Sequence, residues 1–133
     1  MEMDPTVLAE HFKGTLSDLL GVRFTETSPD RVVAELEYRD ALTTIGGSLH
    51  GGTLMAFADT VGAAATLLNL PPGATTTTLE SKTNFFAAGR SGMVRAECTA
   101  LHRGRRTMVW QTRVSDESGR LLSLTIQTQM VLT

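Results

Sequence analysis

His50, Gly51 and Gly52 stand directly before a run of small and apolar residues that carries one charge, Asp59, and then continues from Thr60 to Leu68. If the run is helical, the two glycines open it. Free backbone N–H groups and the positive end of the helix dipole then face outward where a ligand can come close. Those are the requirements for holding the oxyanion that develops when a carbonyl is attacked. Asp59 is the charge that then needs explaining. A lone carboxylate at mid-helix costs several kcal/mol to bury unless it is paired or has its pKa shifted, and such positions are often functional. Bland readings stand beside these. The glycines equally suit tight packing against a strand, and His50 can be a helix cap, a core histidine or a donor to a leaving group.

Other motifs fail on inspection. Gly46 through Thr53 has the glycine spacing of a phosphate-cradling loop, but Gly52 stands where that motif needs lysine. A nucleophile elbow around Ser48 fails because His50 replaces its second glycine. The imidazoles available are His11, His50 and His102, and no two have metal-site spacing beside a cysteine, so no metal site is expected.

The elements that must position these residues follow from periodicity. The central run ends at Asn69-Leu70-Pro71-Pro72-Gly73, where paired prolines stop a helix. Apolar residues on every side predict a helix covered all round by the rest of the domain. Asp4 can cap an N-terminal helix with Pro5 in its first position, and Leu8, Phe12, Leu16, Leu19 and Leu20 recur at helical spacing until Gly21, with Gly14 weakening the middle. Strands are predicted over 22–27 and 31–38, then over 75–86, 93–103, 107–116 and 120–132, the last four joined by short glycine-containing loops as an antiparallel meander. In the last strand Leu122, Leu124, Ile126, Met130 and Leu132 share one face, expected to pack on the central helix. The fold class is therefore α+β, an antiparallel sheet wrapped around one long helix. One domain spans residues 1–133, with a helical segment over residues 1–20.

The chain has 133 residues, 41% hydrophobic and 20% charged, which is the composition of a soluble globular protein. Its net charge of −2 is unevenly spread: residues 1–70 hold four basic residues against ten acids, and residues 71–133 hold eight against four. The basic half can hold an anionic ligand, or these charges are solvated strand faces. There is no nucleic-acid signature. Cys98 is the only cysteine, which excludes an intrachain disulfide. With an acidic start unlike a signal peptide, a cytoplasmic location is expected. The central run is broken by glycines, threonines and Asp59, so no membrane span is expected.

The run His50-Gly51-Gly52, followed by Asp59 on a helix of small residues, resembles the phenylacetate-type (PaaI-like) hotdog-fold acyl-CoA thioesterases. The resemblance extends to Val32–Leu36, to the strand Glu80-Ser81-Lys82-Thr83-Asn84-Phe85 and to His102-Arg103-Gly104-Arg105-Arg106-Thr107, covering roughly residues 20–132. It implies a hotdog fold and a hydrolase acting on acyl- or aryl-CoA thioesters, with coenzyme A part of the substrate and no cofactor. Asp59 matches the family's catalytic acid, as base or nucleophile, and Gly51 the backbone donor that polarises the carbonyl. His50 matches a residue near the thioester sulfur, and Thr78 a hydroxyl that helps position the attacking water. Gly52, Thr44, Asn84, Arg90, Arg103, Arg105 and Arg106 are candidates for holding substrate or coenzyme A. Thr44 is a departure, because family members often have Asn there. Met55, Phe57, Phe85 and Phe86 can line an acyl pocket or be ordinary core. The resemblance also implies a homodimer that forms the active site, commonly paired into a homotetramer. Two rival functions remain: a non-catalytic acyl-CoA-binding hotdog module, and a hydroxyacyl-thioester dehydratase.

Overall fold

The computed structural model describes residues 2–133. Six antiparallel strands form one sheet: β1 (Arg23–Thr27), β2 (Arg31–Glu37), β3 (Thr75–Phe85), β4 (Met93–Arg103), β5 (Thr107–Ser115) and β6 (Leu121–Leu132). Their spatial order is β1-β2-β4-β5-β6-β3. Only β4, β5 and β6 make a meander, which corrects the expectation that all four late strands do. β3 instead lies at the far edge, paired with β6, while β4 takes the place beside β2.

The long helix α3 (Gly51–Leu67) contacts β2, β3, β4, β5 and β6. The sheet wraps around it. Their shared core holds Phe57, Val61 and Leu68 from the helix side against Val32, Leu36, Val94, Ala96, Trp110 and Val114, all fully buried. Trp110 meets its one polar obligation inside this core, its Nε1 donating to Thr66 Oγ1 at 2.9 Å. No helix among the described residues is long and apolar enough to cross a membrane.

Three further expectations need correction. The N-terminal segment is two helices, α1 (Pro5–Glu10) and α2 (Leu16–Leu20), rather than one. Between them Gly14 adopts φ +77, a left-handed conformation that ends a helix and favours glycine. The Asp4 cap and the Pro5 start are as expected, Asp4 accepting from the Thr6 N–H at 2.8 Å.

The second correction concerns β6. Ser123, Thr125, Gln127 and Gln129 face the helix and are buried, whereas Ile126, Met130 and Leu132 face outward, each more than a third exposed. Leu122 is buried at a register irregularity between β5 and β6. Alternation identifies two faces but not which one is inside. Here the helix presents Asp59 and Gly62 to this strand, and a carboxylate needs donors more than it needs methyl groups.

The third concerns cover around α3. Leu54, Phe57, Ala58, Val61, Ala64 and Ala65 are buried, but Gly52 is exposed and Met55, Asp59, Ala63 and Leu67 are only half-buried. Their spacing of three to four residues draws one open stripe along the helix, with Asp59 at its centre.

Candidate active site

His50 is the N-cap of α3, and its Nδ1 accepts the Gly52 N–H at 2.7 Å. A backbone N–H only donates, so Nδ1 carries no proton and the neutral ring holds its proton on Nε2. The side chain is exposed, and among the described residues that N–H has no partner. The same bond consumes one of the two glycine donors. Thr53 and Leu54 both donate to the His50 carbonyl, leaving the Gly51 N–H without a partner among the described residues. The exposed Phe85 ring lies over Gly51, where an added Cβ would come within 3.1 Å of it. The start of α3 therefore offers one open backbone donor beside one imidazole N–H, with an aromatic surface alongside.

Asp59 lies two turns further on. Its Oδ1 accepts from Thr78 Oγ1 at 2.8 Å and from Gln127 Nε2 at 2.9 Å. The other oxygen, Oδ2, has no protein partner among the described residues and is open to solvent. Thr78 reaches the carboxylate because of a register irregularity between Thr78 and Glu80 in β3. The irregularity lets Thr76 and Thr78 point inward on one side of it and Ser81 and Thr83 on the other.

Two polar clusters thus stand on one helix. His50, Gly51 and Gly52 form one; Asp59, Thr78 and Gln127 form the other. At about 1.5 Å of rise per residue, Gly51 and Asp59 stand roughly 12 Å apart along the axis, too far for one carbonyl group to touch both.

The remaining candidates are dispersed. Thr44 lies in a small hairpin, its N–H donating to Ser48 and its carbonyl accepting from Gly47. Arg90 braces the same hairpin by donating to the Gly46 carbonyl at 2.9 Å. Arg103 donates to the Pro29 carbonyl, Asp30 and Asn69, clasping the β1–β2 turn to the end of the helical segment. Asn84 is exposed and accepts from Lys82 Nζ. Arg105 and Arg106 are exposed, and among the described residues their side chains have no partner. Of the four apolar candidates for an acyl pocket, Phe57 is fully buried core, while Met55 is half-buried and Phe85 and Phe86 are exposed.

Sequence reasoning missed Gln127. The available signal was the polar register of Ser123, Thr125, Gln127 and Gln129 in an otherwise apolar strand, which served equally well as an inside face for a helix bearing a carboxylate.

Residues 46–123, more than half of the chain, match the sequence model of the thioesterase superfamily. The chain belongs to the thioesterase superfamily. The 1,4-dihydroxy-2-naphthoyl-CoA hydrolase of Escherichia coli strain K12 is 32% identical to this thioesterase over 109 residues, covering 82% of this chain and 80% of the relative. The proofreading thioesterase EntH of Cronobacter turicensis is 33% identical over 107 residues, covering 80% and 78%. Among solved structures, a single-residue variant of a thioesterase from Pseudomonas aeruginosa superposes with a TM-score of 0.95 at 29% identity, covering 99% of this chain and 96% of the other. The expected hotdog fold and the expected hydrolase class are both borne out.

Proposed function

We propose that this thioesterase hydrolyses an acyl- or aryl-CoA thioester to the free acid and coenzyme A, at a site shared between two copies of the chain. One observation carries the reading. The open Gly51 N–H and the open Asp59 Oδ2 are the two halves of an acyl-transfer site, set two turns apart on a helix stripe that the chain itself leaves uncovered. If a second α3 lies antiparallel across a two-fold axis, Asp59 of one copy falls near Gly51 of the other, twice over.

In that arrangement the thioester carbonyl accepts from the Gly51 N–H, which stabilises the negative charge on its oxygen as the tetrahedral intermediate forms. Asp59 Oδ2 takes a proton from water as the water oxygen bonds to the carbonyl carbon. Alternatively, Oδ2 itself attacks, giving a mixed anhydride that water then opens. The C–S bond breaks, and the departing sulfur receives a proton, for which the His50 Nε2–H is placed at the helix start. Coenzyme A belongs to the substrate, and the steps call on no cofactor.

Phe85 over Gly51 favours an acyl group with an aromatic ring, as does the aryl-CoA named for the E. coli relative. Of the four candidate arginines, Arg105 and Arg106 are exposed and without a partner among the described residues, and so are free to hold the nucleotide phosphates, whereas Arg90 and Arg103 are engaged within the chain. The outward apolar residues Ile126, Met130 and Leu132 suit a second pairing of dimers into a tetramer.

A panel of alkyl- and aryl-CoA substrates with free-thiol detection tests the reading. Thiol release is expected, fastest with an aromatic acyl group, and falling by about two to four orders of magnitude in Asp59→Asn with little change in melting temperature. Binding of acyl-CoA without thiol release would make the protein a non-catalytic module instead.

A further inference from the structure

We infer that Gln127 is a positioning residue, which together with Gly62 fixes the rotation of the Asp59 carboxylate and so decides which of its oxygens reacts. The inference rests on the reading of Asp59 as the reacting carboxylate. Gln127 is 1% exposed, and its Nε2 donates to Asp59 Oδ1 at 2.9 Å. A carboxylate only accepts, so the nitrogen end of the amide must face it. Thr78 donates to the same oxygen from β3. Two donors from two strands converge on Oδ1 and, among the described residues, none reaches Oδ2. The plane of the carboxylate is therefore held from one side, with Oδ2 as the oxygen left for water or the substrate.

Two features show that the fold gives something up for this contact. The Gln127 Oε1 is buried with no hydrogen-bond partner among the described residues, although an apolar side chain of similar size at this position would leave no polar atom unsatisfied. Gly62, one turn beyond Asp59 on the same helix, is also committed to the contact. A Cβ there would come within 2.3 Å of Gln127 Oε1 and 2.4 Å of its Cδ, so the amide occupies space that only glycine leaves. Neither feature improves packing. Both are explained if the amide nitrogen must be delivered to Asp59 in one orientation.

The tests are Gln127→Leu, which keeps volume and removes the donor, and Gly62→Ala, which displaces the amide while retaining it. Each is expected to lower kcat about ten- to a hundredfold, the cost of a small misplacement of a reacting group, with KM within about twofold. The melting temperature of Gln127→Leu is expected to be unchanged or higher, since the unsatisfied carbonyl is gone. In an Asp59→Asn background, Gln127→Leu should change the residual rate less than about twofold, because there is no carboxylate left to orient. Equal rate losses in both backgrounds, or a full kcat in a folded Gln127→Leu whose Asp59→Asn counterpart is inactive, would overturn the positioning role alone. Near-normal turnover in Asp59→Asn by itself would overturn the reading of Asp59 and this inference with it. Should Gln127→Leu not fold, Gly62→Ala decides: a kcat loss at constant KM supports the role, and an unchanged kcat overturns it.

Discussion

At the scale of single residues, what separates the reactive groups from the inert ones is where their hydrogen bonds go. His50 spends Nδ1 on capping its own helix, which leaves Nε2 to act in the proposed reaction, so one residue can serve both as cap and as the proposed proton donor. The two readings of His50 left open by the sequence are thus compatible rather than alternative. Gly51 and Gly52 look equivalent in sequence, yet the His50 ring takes the Gly52 N–H and leaves that of Gly51 open. Cys98 shows the opposite outcome. It lies on β4 facing the core, and burial pushes its thiol up to about 12, so the thiolate is not populated at neutral pH. Alkylating reagents at pH 8 are therefore expected to leave native protein unmodified and to label it only on unfolding, read by intact mass. Rapid labelling of the folded protein would contradict the burial of that side chain.

Elements were legible where one residue class dominates. Paired prolines ended α3, repeated β-branched residues marked β3, β5 and β6, and Asp4-Pro5 opened α1. What periodicity lacked was an absolute direction. In β6 the alternation was visible but its inside was not, because that depends on what the neighbouring helix presents, and Asp59 presents a charge. Strand order was hidden for a related reason: β3 pairs with β6 across a long separation in sequence, which local patterns do not encode. On β2 and β4, charges of the two halves of the chain pair with one another. Arg31 on β2 donates to Glu97 on β4 at 2.5 Å, and Arg95 joins the same carboxylate. The Arg31 hydrogen bond holds the Glu97 carboxyl below its ordinary value, with partial burial working against it. A depressed carboxylate stabilises the fold above its ordinary range and loses that contribution as pH falls through its folded value. Glu97→Gln is thus expected to lower the melting temperature at pH 7 by about 1–4 °C, the range for an exposed pair, and to lower it less at acidic pH, once the Glu97 carboxyl has been protonated in the folded protein. An equal effect at both pH values would assign the loss to packing.

At the scale of the whole molecule, a single chain presents what it leaves unfinished: an open stripe along α3, the free edge of β3 and apolar residues on the outer face of β6. The charge asymmetry of the sequence has a matching resolution. Some basic residues of the second half are engaged in ion pairs and turn clasps, while others, among them Arg105 and Arg106 in the β4–β5 turn, have no partner among the described residues. Replacing both with alanine is expected to raise KM for coenzyme A thioesters about tenfold while leaving short thioesters that lack the nucleotide unaffected, since phosphate contacts lie far from the reacting carbon. Equal effects on both substrates would remove these arginines from the nucleotide site.

The central claim, that one site is built from two copies, is tested most directly by mixing two inactive variants. Asp59→Asn removes the acid, and Gly51→Pro removes the open backbone donor at a first-turn position where proline suits a helix. The Phe85 ring that a side chain at position 51 would meet is exposed and able to move aside. With both parents folded and subunit exchange confirmed by mass spectrometry, each mixed dimer holds one doubly defective site and one intact site. Thiol release should therefore return in the mixture, approaching one quarter of the wild-type rate for random exchange of equal amounts, since half the dimers then carry one working site each. Continued absence of activity in the exchanged mixture would mean that Asp59 and Gly51 of the same chain serve the same site.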